Sequence, residues 1–298
     1  MRHLKHVFSK VKGTWISLPY LWLFVFFVIP FVYLVKISFS ESIIHVPPIS
    51  NLVEISKPAT VSITLNFGNY LRLLTENFYI SGFLSSLSFA FVTTLICLIL
   101  GYGIAYALIK LPKSKRMIGL LFIMIPFSTS FLIRIYAWVI LLSQEGIINT
   151  WLAKLGFISG PLPLLYNDFS VLIGLVYCYL PFMILPIYSV LEKIEQVLIE
   201  AAADLGANPR RTFFQIILPL SKPGMIAGCI LVFVPVAGEF VIPEILGGPD
   251  NLMIGRILWM EFFNNRDWPL AAALAVMLLI LFVIPIMLLQ KYQKVGDS

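Results

Sequence analysis

The chain has 298 residues, of which 59% are hydrophobic and only 12% charged, with a formal net charge of +6 and a mean hydropathy of +0.94. A water-soluble globule needs roughly a quarter of its residues charged to cover its surface, so that class is excluded, whereas a bilayer accepts apolar side chains on the outside of a helical bundle. An all-α, polytopic membrane protein is expected.

About 20 apolar residues cross a hydrocarbon core of about 30 Å, and six stretches qualify. The opening "MRHLKHVFSKVKG" leads into the first, between Lys12 and Lys36. Its apolar run is too long for a signal peptide and no small-residue cleavage site follows, so a retained span is expected. Residues 39–79 then form an external segment that carries no motif. The second span lies within the uncharged run Asn77–Ile109, and the third runs from Met117 to about Ser143, interrupted only by Arg134. The fourth fills Phe169–Leu191, the fifth runs from about Pro223 to Leu246 with Glu239 and Glu244 inside it, and the sixth from about Leu270 to Gln290.

Lysine and arginine set the orientation. The N-terminus, 110–116, 192–223 and 291–298 hold 4, 4, 4 and 2 basic residues, against five on the other side: Lys57, Arg72, Lys154, Arg256 and Arg266. Both termini are therefore expected in the cytoplasm. The positive excess reads as topology, which argues against nucleic-acid binding. Cys97, Cys178 and Cys229 fall inside apolar spans without paired spacing, and His3, His6 and His45 lie outside the spans, so neither a metal site nor a disulfide framework is expected. No phosphate-cradling G-x-x-x-x-G-K-[ST] occurs, so any ATP must be bound by another subunit.

The cytoplasmic loop 192–223 holds "EAAADLGANPRRTFFQIILP" over 200–219. Helix-forming residues lead to Gly206 at the place of a left-handed cap, and Asn208 and Pro209 supply the N-cap and first-turn proline of a second short helix, which Pro219 is expected to end. Local chemistry leaves two readings open: an ordinary amphipathic connector, or a compact protruding knob.

Glu200-Ala201-Ala202, then Gly206, then Ile216, Leu218 and Pro219 resemble the EAA loop of ABC importer permeases at each defined position. "PFSTSFLIRIYAW" (126–138), Gly238 with "EFVIPEILGG" (239–248) and "NNRDWPLAAALA" (264–275) are similar to segments of spermidine/putrescine importer permeases. The resemblance implies a type I ABC importer permease fold in one domain over 1–298, with 192–223 as the coupling loop. It implies, too, that the loop seats in a cytoplasmic ATPase, with Glu200 bonding to the partner surface and Ala201 and Ala202 permitting close approach. The implied partners are a second, related permease, two ATPase copies that bind ATP and Mg, and an external binding protein. The implied setting is a bacterial inner membrane, and the chain itself has no catalytic role or cofactor. Related permeases for thiamine and ferric iron stay open as alternatives. An ion-coupled secondary transporter would show two related halves with matching broken helices, and a channel a repeated pore motif; neither pattern is evident.

Ionisable groups inside a membrane line a pathway or pair with each other. In straight helices Arg134 would lie about 26 Å along span three from Met117 and Glu239 about 24 Å along span five from Pro223, a shared depth, with Glu244 on another face. An Arg134–Glu239 pair and a polyamine contact at Glu244 are the expectations, beside the readings of a helix lock and an interfacial acid. Tyr136, Trp138 and Trp268 suit either cation–π contact with an ammonium or an aromatic belt at the membrane interface.

Overall fold

A computed structural model describes residues 19–50, 53–56 and 60–296. The described chain is helical apart from one hairpin: α1 Pro19–Ser38, β1 Val53–Ser56, β2 Thr60–Ile63, α2 Gly68–Thr75, α3 Asn77–Lys110, α4 Lys113–Phe127, α5 Phe131–Leu142, α6 Ile147–Lys154, α7 Asp168–Leu191, α8 Gln196–Asp204, α9 Pro209–Ala237, α10 Val241–Leu246, α11 Ile254–Trp259 and α12 Trp268–Gly296. Five helical runs among the described residues are long and apolar enough to cross a membrane, namely Pro19–Ser38, Asn77–Lys110, Phe131–Lys154, Asp168–Leu191 and Pro209–Ala237; the apolar run Trp268–Val283 within α12 is shorter. His3 and His6 lie outside the described residues.

The chain divides into two compact units, Asn77–Ile257 and the segments on either side of it. In the flanking unit α1 packs along α12. The external segment is not featureless: β1 and β2 pair antiparallel with Val53 opposite Ile63, and α2 is tied to the end of α1 by Asn69, whose Nδ2 donates to the Ser38 and Ser40 carbonyls at 3.0 and 2.9 Å. Asp267 caps α12 by accepting from the Leu270 N–H at 3.2 Å, and its other oxygen lies 3.6 Å from Arg72 Nη1 on α2. Burial raises the Asp267 pKa above the ordinary 3.8, and the Leu270 hydrogen bond opposes that shift.

In the central unit α3, α7 and α9 pack on one another as the core. α7 starts with a capping box in which Asn167 Oδ1 accepts from the Ser170 N–H and Ser170 Oγ from the Asn167 N–H, at 3.0 and 3.1 Å. The α7–α9 contact is close because Gly224 and Gly228, one turn apart on α9, present no side chain. A Cβ on Gly224 would meet the Pro186 carbonyl at 2.8 Å. Met183 fills the centre: Cβ atoms on Gly101 of α3 and Gly228 of α9 would meet its side chain at 2.9 and 2.6 Å. Small residues that let backbones approach are the usual basis of helix association in lipid, where burial between helices adds little hydrophobic drive.

Three expectations differ in detail. The third apolar stretch is two helices, because Ser128 Oγ and Thr129 Oγ1 bond the Met124 and Pro126 carbonyls at 3.0 and 2.7 Å and so close α4 one residue after Pro126. The fifth stops at Ala237, with Glu239 in the break before α10 rather than inside a continuous helix. Pro219 does not end a short helix: α9 runs through it unbroken from Pro209. A π turn over Phe213–Ile217 precedes the proline, with the Leu218 N–H donating to the Phe213 carbonyl five residues back, which rearranges the carbonyls the ring would otherwise crowd. The same device precedes Pro30 in α1, where the Ile29 N–H donates to the Phe24 carbonyl.

Candidate functional site

The 200–219 segment forms a capped corner between α8 and α9. Gly206 has φ +79°, a left-handed conformation that costs a residue with a Cβ roughly 1–2 kcal/mol. The corner is a Schellman motif, with the Gly206 N–H donating to the Ala203 carbonyl and the Ala207 N–H to the Ala202 carbonyl, both at 2.9 Å. Asn208 Oδ1 then accepts from the Arg211 N–H at 2.8 Å and Pro209 takes the first turn of α9. Helix α8 turns two faces. Ala202 is buried, and Ile199 and Ala203 line a cavity of about 470 Å³ between α8, the end of α3 and the start of α9. The opposite stripe is apolar and uncovered: Val197, Leu198 and Leu205 are 66, 46 and 89% exposed, with Glu200 and Ala201 also exposed among them. Beyond the corner Ile216 and Leu218 are half-buried and Pro219 is exposed. Arg116 fastens the neighbouring end of α3, its Nε and Nη2 donating to the Leu111 and Ile109 carbonyls at 2.9 and 2.7 Å.

A second cluster lies where the breaks of the third and fifth stretches meet α7. Arg134 and Glu239 are each 8% exposed. They do not form the expected pair: no ion pair within 4.0 Å joins them. The helix breaks undo the straight-helix geometry on which that expectation stood. Glu239 is held by neutral donors instead, the Tyr179 hydroxyl on one carboxylate oxygen and the Phe240 and Val241 N–H groups on the other at 3.1 and 2.9 Å. The Arg134 guanidinium lies 4.9 Å from the Phe127 ring centroid and 5.7 Å from that of Phe131, and its Nε has no hydrogen-bond partner. Phe127 packs edge-on to Phe182 at 5.2 Å, and Phe182 lies 6.0 Å from Tyr179, so an aromatic chain joins the two charges through α7.

Glu244 is half-exposed and pairs with Arg256 at 2.7 Å. Arg256 also donates to the Gly248 and Asn251 carbonyls, both at 2.9 Å, and so stitches the loop after α10. That loop is anchored further by Asn251 to Asp168 and by the Ile254 N–H to Ser86 Oγ, each at 2.8 Å. Tyr136 is 56% exposed, Trp138 packs against Tyr177 at 5.5 Å, and Trp268, in the flanking unit, stacks on Phe262 at 5.1 Å. Cys97 and Cys178 are buried packing residues.

Sequence reasoning missed Tyr179, Arg256 and the glycine pair. Only the last had a local signal, since Gly224-x-x-x-Gly228 inside an apolar run is a helix-packing motif. Tyr179 reaches Glu239 across 60 residues and is visible only in the fold.

A bundle of apolar helices with two broken spans, joined by one continuous helix to an exposed apolar knob, defines a multi-pass membrane transport subunit. The profile of the family described as binding-protein-dependent transport system inner membrane component matches residues 98–294, and the chain belongs to that family. Among curated relatives it is 45% identical over 220 residues to the spermidine/putrescine transport system permease protein PotB of Escherichia coli strain K12, covering 74% of this chain and 80% of that protein. It is 36% identical to the protein of the same name in Haemophilus influenzae, over 98% of this chain and 97% of the relative. Among solved structures, a bacterial ABC transporter involved in import of the acidic polysaccharide alginate matches with TM-score 0.68 at 14% identity, over 97% of this chain and 98% of that one. The inward-facing MetNI methionine ABC transporter matches with TM-score 0.53 at 19% identity, over 70 and 90%. At these identities the two structures share the fold alone.

Proposed function

We propose that the chain is the permease subunit of an ATP-driven importer for polyamines of the spermidine and putrescine class. The observation that carries the coupling half of this reading is the apolar stripe Val197, Leu198 and Leu205, left uncovered on a helix whose both ends are fixed by turns. An exposed Leu205 beside exposed Glu200 fits a surface that seats in a partner's groove. The substrate half rests on the relatives' function together with acids at the membrane-embedded breaks. In this reading the chain forms one permease domain and works with a second, related permease, two copies of a cytoplasmic ATPase that hold ATP and Mg, and an external binding protein that delivers cargo. Hydrolysis belongs to the ATPase; this chain contributes alternating access. Both termini face the cytoplasm of a bacterial inner membrane. Glu244 presents charge to a passing ammonium, with Arg256 as its resting counter-cation, and Tyr136, on the same unit, has an exposed ring.

The test is uptake of radiolabelled spermidine and putrescine in cells lacking this chain, with thiamine and ferric iron measured in parallel. Polyamine uptake should fall and return with a plasmid copy while the other two are unchanged. Normal polyamine uptake with loss of thiamine or iron uptake would overturn the substrate assignment.

A further inference from the structure

Among the described residues of the central unit, Arg134 is the one buried base and Glu239 the one buried acid. Two opposite charges withdrawn from water in one membrane-embedded unit stabilise each other only by approach, yet here each is held apart from the other. Arg134 rests on aromatic rings with Nε unsatisfied. Glu239 is satisfied entirely by neutral donors. Among the described residues no ion pair within 4.0 Å joins Arg134 to any other acid of the unit. Glu244 is taken by Arg256 and Asp168 accepts from Asn251, while Glu192, next to Arg116, accepts from Tyr188.

The two charges belong to neighbouring elements. Helix α5, which carries Arg134 one turn from its start, packs against α10, which begins two residues after Glu239. Both elements also pack on α7. Each charge stands beside a helix break, Ser128–Ser130 for one and Gly238–Phe240 for the other. Helix ends of this kind absorb rotation of short segments.

The geometry points to Arg134 and Glu239 as state-dependent positioning residues, apart in this conformation and ion-paired in the permease's other access state after α5 and α10 rotate about their breaks. The pair holds that second state closed. Tyr179 and the two backbone N–H groups hold Glu239 in the first state, so Tyr179 is the group that Arg134 displaces. The inference rests on the reading of the chain as an ATP-driven importer that alternates between access states, but not on which cargo it carries.

The experiment uses the intact transporter complex in membranes, with Cys97, Cys178 and Cys229 replaced by alanine and Arg134→Cys and Glu239→Cys introduced together. Cross-linking by a bifunctional thiol reagent, whose span exceeds the roughly 7 Å Cα limit of a disulfide and matches the reach of an Arg–Glu pair, is compared in the resting complex and after trapping with ATP, vanadate and binding protein. Cross-linking should change about tenfold between the two, as for a state that passes from minor to major population. Equal yields in the two conditions, or no cross-link in either, would overturn the inference. A second measurement covers poor folding of that variant: Arg134→Gln and Glu239→Gln should each lower uptake per folded complex, and the two together should lower it no further than one alone, because all three remove the same pair. Additive losses in the double variant would mean that no pair forms. State-dependent cross-linking in a complex that moves no polyamine would leave the inference standing and sink the substrate assignment instead.

Discussion

Substituting Gly224 with alanine tests how the core transmits force. A Cβ there would lie 2.8 Å from the Pro186 carbonyl, 3.0 Å from Val190 Cγ2 and 3.1 Å from Ile187 Cα, whereas ordinary contact begins at 3.4 Å. Two of those three atoms are helix backbone and cannot rotate aside, so α7 and α9 must part by about 0.6 Å, the difference between 3.4 and 2.8. A gap of that size forfeits about a quarter of the dispersion well for each facing pair, and overpacking of a close interface costs about 1–3 kcal/mol. Alanine's better helix propensity returns up to about 1 kcal/mol. The net for Gly224→Ala is therefore a destabilisation of up to about 2 kcal/mol when alanine's full propensity gain is subtracted. Gly228→Ala makes the contrast, because its nearest obstacle at 2.6 Å is the Met183 sulfur, the flexible part of a side chain, and the backbone atoms stand off at 3.3 and 3.4 Å. It should be near neutral alone. Combined with Gly101→Ala, which crowds the same Met183 at 2.9 Å from the α3 side, it should cost more than the sum of the singles. The assay is thermal survival of the solubilised complex by size-exclusion chromatography, with uptake measured in parallel. Equal loss for Gly224→Ala and Gly228→Ala, or simple additivity in the Gly101 and Gly228 double variant, would refute this account of the core.

Gly206→Val should lower uptake and ATPase co-purification while membrane level is kept, because no atom lies within 4 Å of the added Cβ and the roughly 1–2 kcal/mol penalty is that of the φ +79° backbone alone. Wild-type uptake with normal ATPase retention would remove the corner from coupling. Glu244→Gln should leave abundance intact and reduce uptake per complex, more for a cargo with more ammonium groups, and equal uptake would remove Glu244 from the pathway. Asp267, whose folded pKa is raised by burial, contributes stability that is full below 3.8 and is lost as pH rises through the higher folded value. Asp267→Asn, which keeps a capping oxygen, should therefore melt at least as high as wild type at neutral pH, and a clear loss there would make the Arg72 contact dominant. A reporter active only in the cytoplasm should work after Ser298 or within 111–116 and fail within 150–165; the reverse pattern would overturn the orientation.

What the sequence made legible was local. Gly206 is left-handed and Asn208 with Pro209 opens α9, because caps and turns are decided by residues two or three positions apart. The second and fourth spans also fall close to Asn77–Lys110 and Asp168–Leu191, since uncharged length alone sets them. Prolines misled in both directions. Pro126 sits in an apolar run that looked continuous, yet the hydroxyls of Ser128 and Thr129 end the helix there, while Pro219 looked like a stop and is bridged by a π turn. Hydrophobicity registers neither event. The charges in the membrane were visible as charges, but their partners were not: Glu239 meets Tyr179 from another span, and Glu244 meets Arg256 from beyond a loop.

The continuity of α9 through Pro219 changes what the knob can do. Had the proline ended a short helix, motion of the corner would pass through a flexible joint before reaching the membrane-embedded part. Instead a single helix of 29 residues, about 43 Å at 1.5 Å per residue, runs from the Asn208 cap to Gly238 beside Glu239. A tilt of about 5° about one end of such a rod moves the other by about 4 Å, enough to exchange hydrogen-bond partners at the break. Gly224 lies midway along this helix, where an added Cβ would meet the Pro186 carbonyl, in the proline-bearing half of α7, at 2.8 Å. The corner, the glycine contact and the Glu239 break thus lie in sequence along one lever, which is why substitutions at Gly206 and Gly224 should both reduce uptake although neither residue is positioned to touch cargo.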